Sequence, residues 1–268
     1  EISDKHAIEQ QIMGGNISYK KIKFRVGITG VNTQLGADVV HMGELYNRFA
    51  FSSKKLTNIG VDYNFIVKNF NFFGEAAISD NLSPAFVNGV VASLDAHISI
   101  AVIHRDYPKD YQSLMSNAFA ENTKPANEKG IYVGLNANPI HAISMNVYYD
   151  HFIFPWLKYQ VNAPSSGNDY MAQINYTPSK KFDTYIRFRR RDKFKNYNVE
   201  NQIDYIAPTQ QTNSRFNILY QITKSIKLQN RVEVIQYKNQ KGETENGYVA
   251  YQDLICKKPG NKTSLHIR

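Results

Sequence analysis

Residues 181–191 read KFDTYIRFRRR, and their alternation decides the fold class. Successive side chains of an extended strand point to opposite sides, so Phe182, Thr184, Ile186 and Phe188 share one face. Asp183, Tyr185, Arg187, Arg189 and Arg191 share the other. A helix would mix these two sets around its circumference; a strand separates them into an apolar face and a charged one.

The same pattern recurs on both sides of this stretch. Within SIKLQNRVEVIQY (225–237), Ile226, Leu228, Val232 and Val234 oppose Lys227, Gln229, Arg231 and Glu233. Phe216, Ile218, Tyr220 and Ile222 oppose Arg215, Asn217 and Gln221; Ile143, Met145, Val147 and Tyr149 oppose Ser144, Asn146 and Asp150. Toward the start, Ile22, Phe24, Val26 and Ile28 alternate with Lys21, Lys23 and Arg25, and Ile59, Val61, Tyr63, Phe65 and Val67 with Asp62, Asn64 and Lys68. The apolar faces carry no charge. A lipid-facing barrel surface and the inner face of a soluble β-sandwich both demand this.

Strand length and loop pattern favour the barrel. The alternation predicts about 13–14 strands, at residues 17–31, 45–52, 56–68, 70–79, 85–94, 97–105, 130–138, 141–152, 169–177, 181–191, 213–222, 225–237 and 247–257, with a further start at 262. Many run roughly 9–13 residues, whereas soluble strands average about 5–6 and tilted membrane-crossing strands need about 9–11. Tight turns are expected at 68–69, 95–96, 138–139, 177–179, 223–224 and 258–260, rich in Pro, Gly, Asn and Asp. Between them fall longer polar loops at 79–84, 106–128, 154–168, 192–212 and 239–246. Short turns alternating with long loops place the former in the periplasm and the latter outside the cell. The expected fold is therefore all-β, an antiparallel up-and-down transmembrane β-barrel. Residues 1–15 form a tail and 16–268 the barrel, which this reading takes as incomplete at both ends because a barrel in lipid must close.

Composition sets limits. The chain has 268 residues, a net charge of +9, 18 Tyr, 15 Phe and a single Trp. Mean hydropathy is −0.46. No run approaches the roughly 20 apolar residues of a membrane-spanning helix. Cys256 is the only cysteine, so an internal disulfide and a thiolate zinc site are excluded. The basic residues are spread over many strands rather than clustered, which argues against nucleic acid as a partner. Residues 1–11 lack the apolar core of a signal peptide. The sequons at Asn16 and Asn81 are read as unglycosylated.

Several motifs resemble a family of uncharacterised Bacteroidetes outer-membrane β-barrels. They are YNRFAF (46–51), FGEAA (73–77), YPKDYQ (107–112), NAFAE (117–121), FPWLKY (154–159), APSSG (163–167) and YQD (251–253), and the resemblance covers most of the chain. In that family the barrel often follows a helix-hairpin-helix module like those of competence proteins, which has earned it a DNA-binding label. These residues do not include that module, so the label is not carried over to them. The resemblance supplies no catalytic or binding residue.

Glu75, Lys21, Lys23, Arg25, Arg187, Arg189 and Arg231 are expected to line the barrel lumen, where Glu75 pairs with a basic side chain of a neighbouring strand. Such charges hold a barrel's shape or tune what passes. Arg190 and Lys193 fall at the outer rim, near lipopolysaccharide phosphates. Phe154, Trp156 and Tyr159 read as an interfacial anchor, with a docking surface as the alternative. His104, Arg105, Asp106 and Asp110 form a polar group at a strand end, but no activated serine accompanies it. Residues 110–120 suit a short helix within a loop packing over the barrel mouth. No cofactor and no metal is expected.

The sequence thus predicts a non-enzymatic outer-membrane barrel with a transport, channel or structural role, in contact with outer-membrane lipid, lipopolysaccharide and envelope protein partners. Two further readings stay open: a membrane-anchored component of a DNA-uptake or secretion assembly, and a barrel enzyme acting on lipid or envelope substrates.

Overall fold

The computed structural model describes residues 8–41, 43–198, 205–257 and 264–268. Fourteen strands follow one another as a single up-and-down antiparallel sheet, each hydrogen-bonded to its neighbours in sequence. They are β1 Gln10–Lys21, β2 Phe24–Leu35, β3 Lys55–Val67, β4 Phe70–Ser79, β5 Pro84–Ser93, β6 Ile98–Tyr107, β7 Glu128–Ile140, β8 Ile143–Phe154, β9 Ser165–Ser179, β10 Phe182–Tyr197, β11 Tyr205–Gln221, β12 Ile226–Lys238, β13 Thr244–Cys256 and β14 Leu265–Ile267. No helix among the described residues is long and apolar enough to cross a membrane, which says nothing of strands.

Chain contacts divide the molecule into two compact units. The first runs to Ala92 and takes in Ala101–Tyr132 and His151–Ser166; the second comprises Ser93–Ile100, Val133–Asp150 and Gly167–Arg268.

In the first unit, residues directly opposite on adjacent strands share a face. Registers Ile28↔Val61, Val61↔Ala76 and Ala76↔Phe86 carry one apolar face across β2–β5. Thr29↔Gly60, Gly60↔Ala77 and Ala77↔Ala85 carry the opposite face of small and polar residues. Phe65 and Phe72, stacked at 4.9 Å, sit at the short-turn end of the apolar face, with Phe70 beside them. Exposure then separates the two faces: Ile59 on the apolar face is 51% exposed, whereas Thr33 and Ser79 on the other are 3%.

The second unit repeats this arrangement. Ile174↔Ile186, Ile186↔Phe216 and Phe216↔Val232 form the apolar row across β9–β12, and Gln173↔Arg187, Arg187↔Arg215 and Arg215↔Glu233 the charged one. Ile186 is 62% exposed, while Asp169, on the charged face, is 3%. In both units the apolar face is open and the polar face sheltered, the inverse of a protein whose strands enclose an oily core.

Several boundaries differ from the sequence reading. The single strand expected at 17–31 is a hairpin, β1 and β2, turning at Ile22-Lys23, and β1 already begins at Gln10 within the expected tail. The turn lacks Gly, Pro, Asn and Asp, so it left no signal. One consequence is a correction to the predicted charge set. Lys21 lies opposite Phe24 and so belongs to the face of Phe65, and Lys23 lies in the turn; neither shares the face of Arg25.

The strand expected at 45–52 is loop, with a 3₁₀ turn at Leu45–Asn47. Residues 110–120 contain no helix. Turns expected at 138–139 and 177–179 lie two or three residues later, because β7 continues to Ile140 and β9 to Ser179. Near Pro178 the pairing with β10 slips between Phe182 and Thr184, an irregularity that absorbs a residue unable to donate to the ladder. The turn at 258–260 and the start at 262 lie outside the described residues.

Candidate functional site

In the first unit the connection from β6 to β7, residues 108–127, folds onto the sheltered face of β3–β5. Asn58 Nδ2 donates to the Gln112 carbonyl at 2.8 Å, and the Gln112 amide donates to Ser79 Oγ at 3.3 Å. Asn81 Nδ2 donates to the Asp110 carbonyl at 2.6 Å, and Ser83 Oγ to Asp110 Oδ1 at 3.0 Å. Tyr107, Tyr111 and Ala85 form a small buried cluster beneath the loop. Burial pushes the Tyr111 hydroxyl pKa upward, and the nearby Glu75 carboxylate adds to the effect, so Tyr111 stays a neutral hydrogen-bonding group.

A cavity of about 270 Å³ remains under the loop, lined by Glu75, Ala77, Ala85, Tyr107, Tyr111 and Asn117 among others. Glu75 faces it from the sheltered side of β4, directly opposite Asp62 and Val87. Among the described residues Glu75 has no ion pair with a basic strand neighbour within 4.0 Å. Arg25, the basic residue nearest to it in the register, instead reaches Asp62 at 3.4 Å.

The loop's far end is held by an ion pair that the sequence reading missed. Arg105 Nε donates to Glu128 Oε1 at 2.6 Å, and both side chains are fully buried. Glu128 also accepts the backbone amides of Glu121 at 2.8 Å and Asn122 at 2.7 Å. One carboxylate thereby neutralises a guanidinium and satisfies two loop amides, which is the condition for tolerating buried charge. The Phe119 ring lies 5.3 Å from the Arg105 guanidinium, and Tyr107 donates its hydroxyl to the Phe119 carbonyl. A Cβ at Gly130 would stand 2.5 Å from Arg105 Cζ, so only glycine leaves room for the guanidinium there.

This arrangement dissolves the polar group at 104–110. Arg105 is buried with Glu128, Asp106 pairs with Lys129 at 2.9 Å, Asp110 holds Ser83, and His104 is exposed. No three His, Cys, Asp or Glu side chains gather as a metal set among the described residues.

The three aromatic residues expected as an interfacial anchor, Phe154, Trp156 and Tyr159, have distinct surroundings. Phe154 is 3% exposed, with Lys158 Nζ 3.2 Å from its ring centre, so its ring packs within the protein. Trp156 packs edge-on against Phe49 at 5.1 Å and donates Nε1 to the Leu45 carbonyl at 3.2 Å. Tyr159 remains exposed, its ring 5.9 Å from Tyr46. These contacts explain why 45–52 is not a strand: its aromatics are used by the loops that face it.

Lys109 closes the group, its ammonium 4.4 Å from the Phe49 ring centre and 4.7 Å from that of Trp156. Such a contact is worth about 0.5–2 kcal/mol. Because Trp156 is the only tryptophan, the chain's tryptophan fluorescence reports this site alone. Lys109→Ala is expected to raise acrylamide quenching of Trp156 by about twofold or more; quenching equal to wild type would show that the ammonium does not cover the ring.

In the second unit the arginines of the charged face differ in their hydrogen-bond partners. Asp169 binds Arg189 through two bonds and Arg191 through one at 3.1 Å, and accepts the Tyr148 hydroxyl at 3.2 Å. Arg215 binds Glu233 with both ends of its fork, at 2.8 and 3.0 Å. Arg187 instead donates to the neutral Gln173 amide, and Arg231 lies 3.5 Å from Asn217 Oδ1. The register puts Arg187, Arg189 and Arg231 on one face of β9–β12, together with Asp169, Arg191, Arg215 and Glu233.

No family model matches the chain, and no curated protein matches it in sequence. Among solved structures, one described as the NanC porin structure in rhombohedral crystal form aligns over 76% of this chain and 93% of its own, at 13% identity and a TM-score of 0.36.

Proposed function

We propose that this chain is a non-enzymatic outer-membrane β-barrel whose sheltered, basic strand face lines a path for small anionic solutes. The observation that carries the reading is the inversion of faces: large apolar side chains such as Ile59 and Ile186 are open, while charged ones such as Asp169 and Glu233 are sheltered. In water an apolar surface of this extent is a liability, whereas in lipid it is required. Aromatic residues at the short-turn end of the apolar face, Phe65 and Phe72 in one unit and Tyr176 and Phe182 in the other, suit an interfacial girdle. Strands β1 to β13 run from 10 to 17 residues, enough to cross a bilayer at a tilt.

Across β9–β12 the charged face carries Arg187, Arg189, Arg191, Arg215 and Arg231 against Asp169, Asp183 and Glu233, and this surplus favours anions. Within the first unit, residues 108–127 lie on the sheltered side of β3–β5. Heat-modifiable migration of the protein from outer-membrane fractions, followed by single-channel recording, tests this. A compact unboiled band with anion-selective conductance is expected. Recovery in the soluble fraction with no heat shift would refute the reading.

A further inference from the structure

We propose that the long connections of the first unit form a binding site for a small aromatic carboxylate, its ring held among Tyr46, Phe49 and Trp156 and its charge met by Lys109 and Lys124. The site goes beyond the proposed path, because it is built from connections between strands and not from the strand faces. A cavity of about 140 Å³ lies between residues 46–51 of the β2–β3 connection, the β6–β7 connection and Trp156 of the β8–β9 connection. Rings and hydrocarbon, including Leu114 and Pro125, make up most of its wall. Lys109 and Lys124 line it too, and among the described residues no carboxylate does. Neither lysine has an ion pair within 4.0 Å among the described residues. Of the acids close by, Glu128 is buried with Arg105, Asp110 accepts the Ser83 hydroxyl, and Glu44 lines a separate depression with Arg48. Glu75 lines the adjacent cavity, which shares Tyr111 and Pro125 with this one.

The wall is tied together before any ligand arrives. Gln112 Nε2 donates to the Phe49 carbonyl at 3.3 Å, and Trp156 Nε1 to the Leu45 carbonyl at 3.2 Å. Asn127 Nδ2 donates to the Trp156 carbonyl at 3.0 Å, and the Trp156 amide returns a bond to Asn127 Oδ1 at 2.7 Å. Asn127 makes both from φ 56°, a left-handed conformation that asparagine tolerates. A site fixed in this way loses little freedom on binding. Its size suits one ring, since an apolar cavity of about 150 Å³ takes a benzene molecule. Both lysines are exposed, which places the charge at the rim and the ring inside. The Lys109 ammonium rests 4.4 Å from the centre of Phe49 and 4.7 Å from that of Trp156, and its N–H groups that do not face a ring can donate to a carboxylate oxygen. Phosphate would bring more charge to desolvate and no surface for the rings to cover.

The test is equilibrium dialysis of the folded chain in detergent against radiolabelled benzoate at low ionic strength, with acrylamide quenching of Trp156 measured alongside. Saturable binding in the millimolar range is expected, as befits so few ligand atoms, and bound benzoate is expected to lower the quenching. Lys109→Gln/Lys124→Gln is expected to weaken binding about tenfold or more, the effect of losing one charge-assisted bond. The charge-matched Lys180→Gln/Lys181→Gln, in the turn between β9 and β10, is expected to stay within about threefold of wild type. Acetate, which keeps the charge and lacks the ring, is expected to bind about tenfold more weakly than benzoate. Equal weakening in the two double variants, or wild type that does not saturate, overturns the site. Inorganic phosphate binding as tightly as benzoate overturns the ligand class. Saturable binding that leaves Trp156 quenching unchanged places the benzoate elsewhere and overturns the site as well.

Discussion

Replacing Glu128 with alanine is expected to destabilise the folded chain by about 3–5 kcal/mol, because it strands the Arg105 charge in a site that excludes water. The carboxylate does three jobs at once: it neutralises Arg105 and accepts the amides of Glu121 and Asn122. Its loss therefore also frees the far end of residues 108–127. Urea unfolding in detergent micelles would show the midpoint fall, and proteolysis within 108–127 would rise with it. Arg105→Leu/Glu128→Leu is expected to recover much of the loss, since a buried ion pair replaced as a unit by apolar side chains costs far less than one half of it left behind. A double variant as unstable as Glu128→Ala would instead point to the two amide contacts as the main contribution.

The second large effect lies on the opposite face. Ile186 sits in the middle of the apolar row between Ile174 and Phe216. Arginine there is expected to cost about 2–4 kcal/mol if that face meets lipid near the bilayer centre. On a water-exposed surface the same change falls within about 0.5 kcal/mol. Unfolding in liposomes separates the two outcomes, and Ile186→Leu serves as the neutral control.

Strand periodicity was legible because Phe182 to Arg191 and Ser225 to Tyr237 alternate without interruption, so both faces could be assigned before any coordinates. Which face is open was not legible from alternation alone, which is the same for a sandwich and a barrel; the expectation came from strand length and loop pattern. The β1–β2 turn was hidden because Ile22 and Lys23 carry no turn chemistry and the alternation resumes across them. Residues 45–52 alternate like a strand, yet Phe49 and Phe51 serve loop packing, and only the position of Trp156, more than 100 residues later, explains why. Arg105–Glu128 and Asp169–Arg189 were invisible for the same reason: each pair spans about 20 residues, and single-residue types do not announce a distant partner. Arg187, Arg189 and Arg231 could be put on one face because they lie on strands with clear alternation; Lys21 was misplaced because its strand ends at that residue and the chain turns back.

The central claim is that the apolar face of this sheet meets lipid and the charged face does not. Spin labels placed singly at residues 182 to 189, after Cys256→Ser removes the native thiol, and reconstituted in liposomes would test it most directly. Oxygen accessibility is predicted to peak at 182, 184, 186 and 188, and accessibility to a polar nickel chelate at 183, 185, 187 and 189. The same period with the two probes exchanged, or a protein that does not enter the liposomes, would contradict the account.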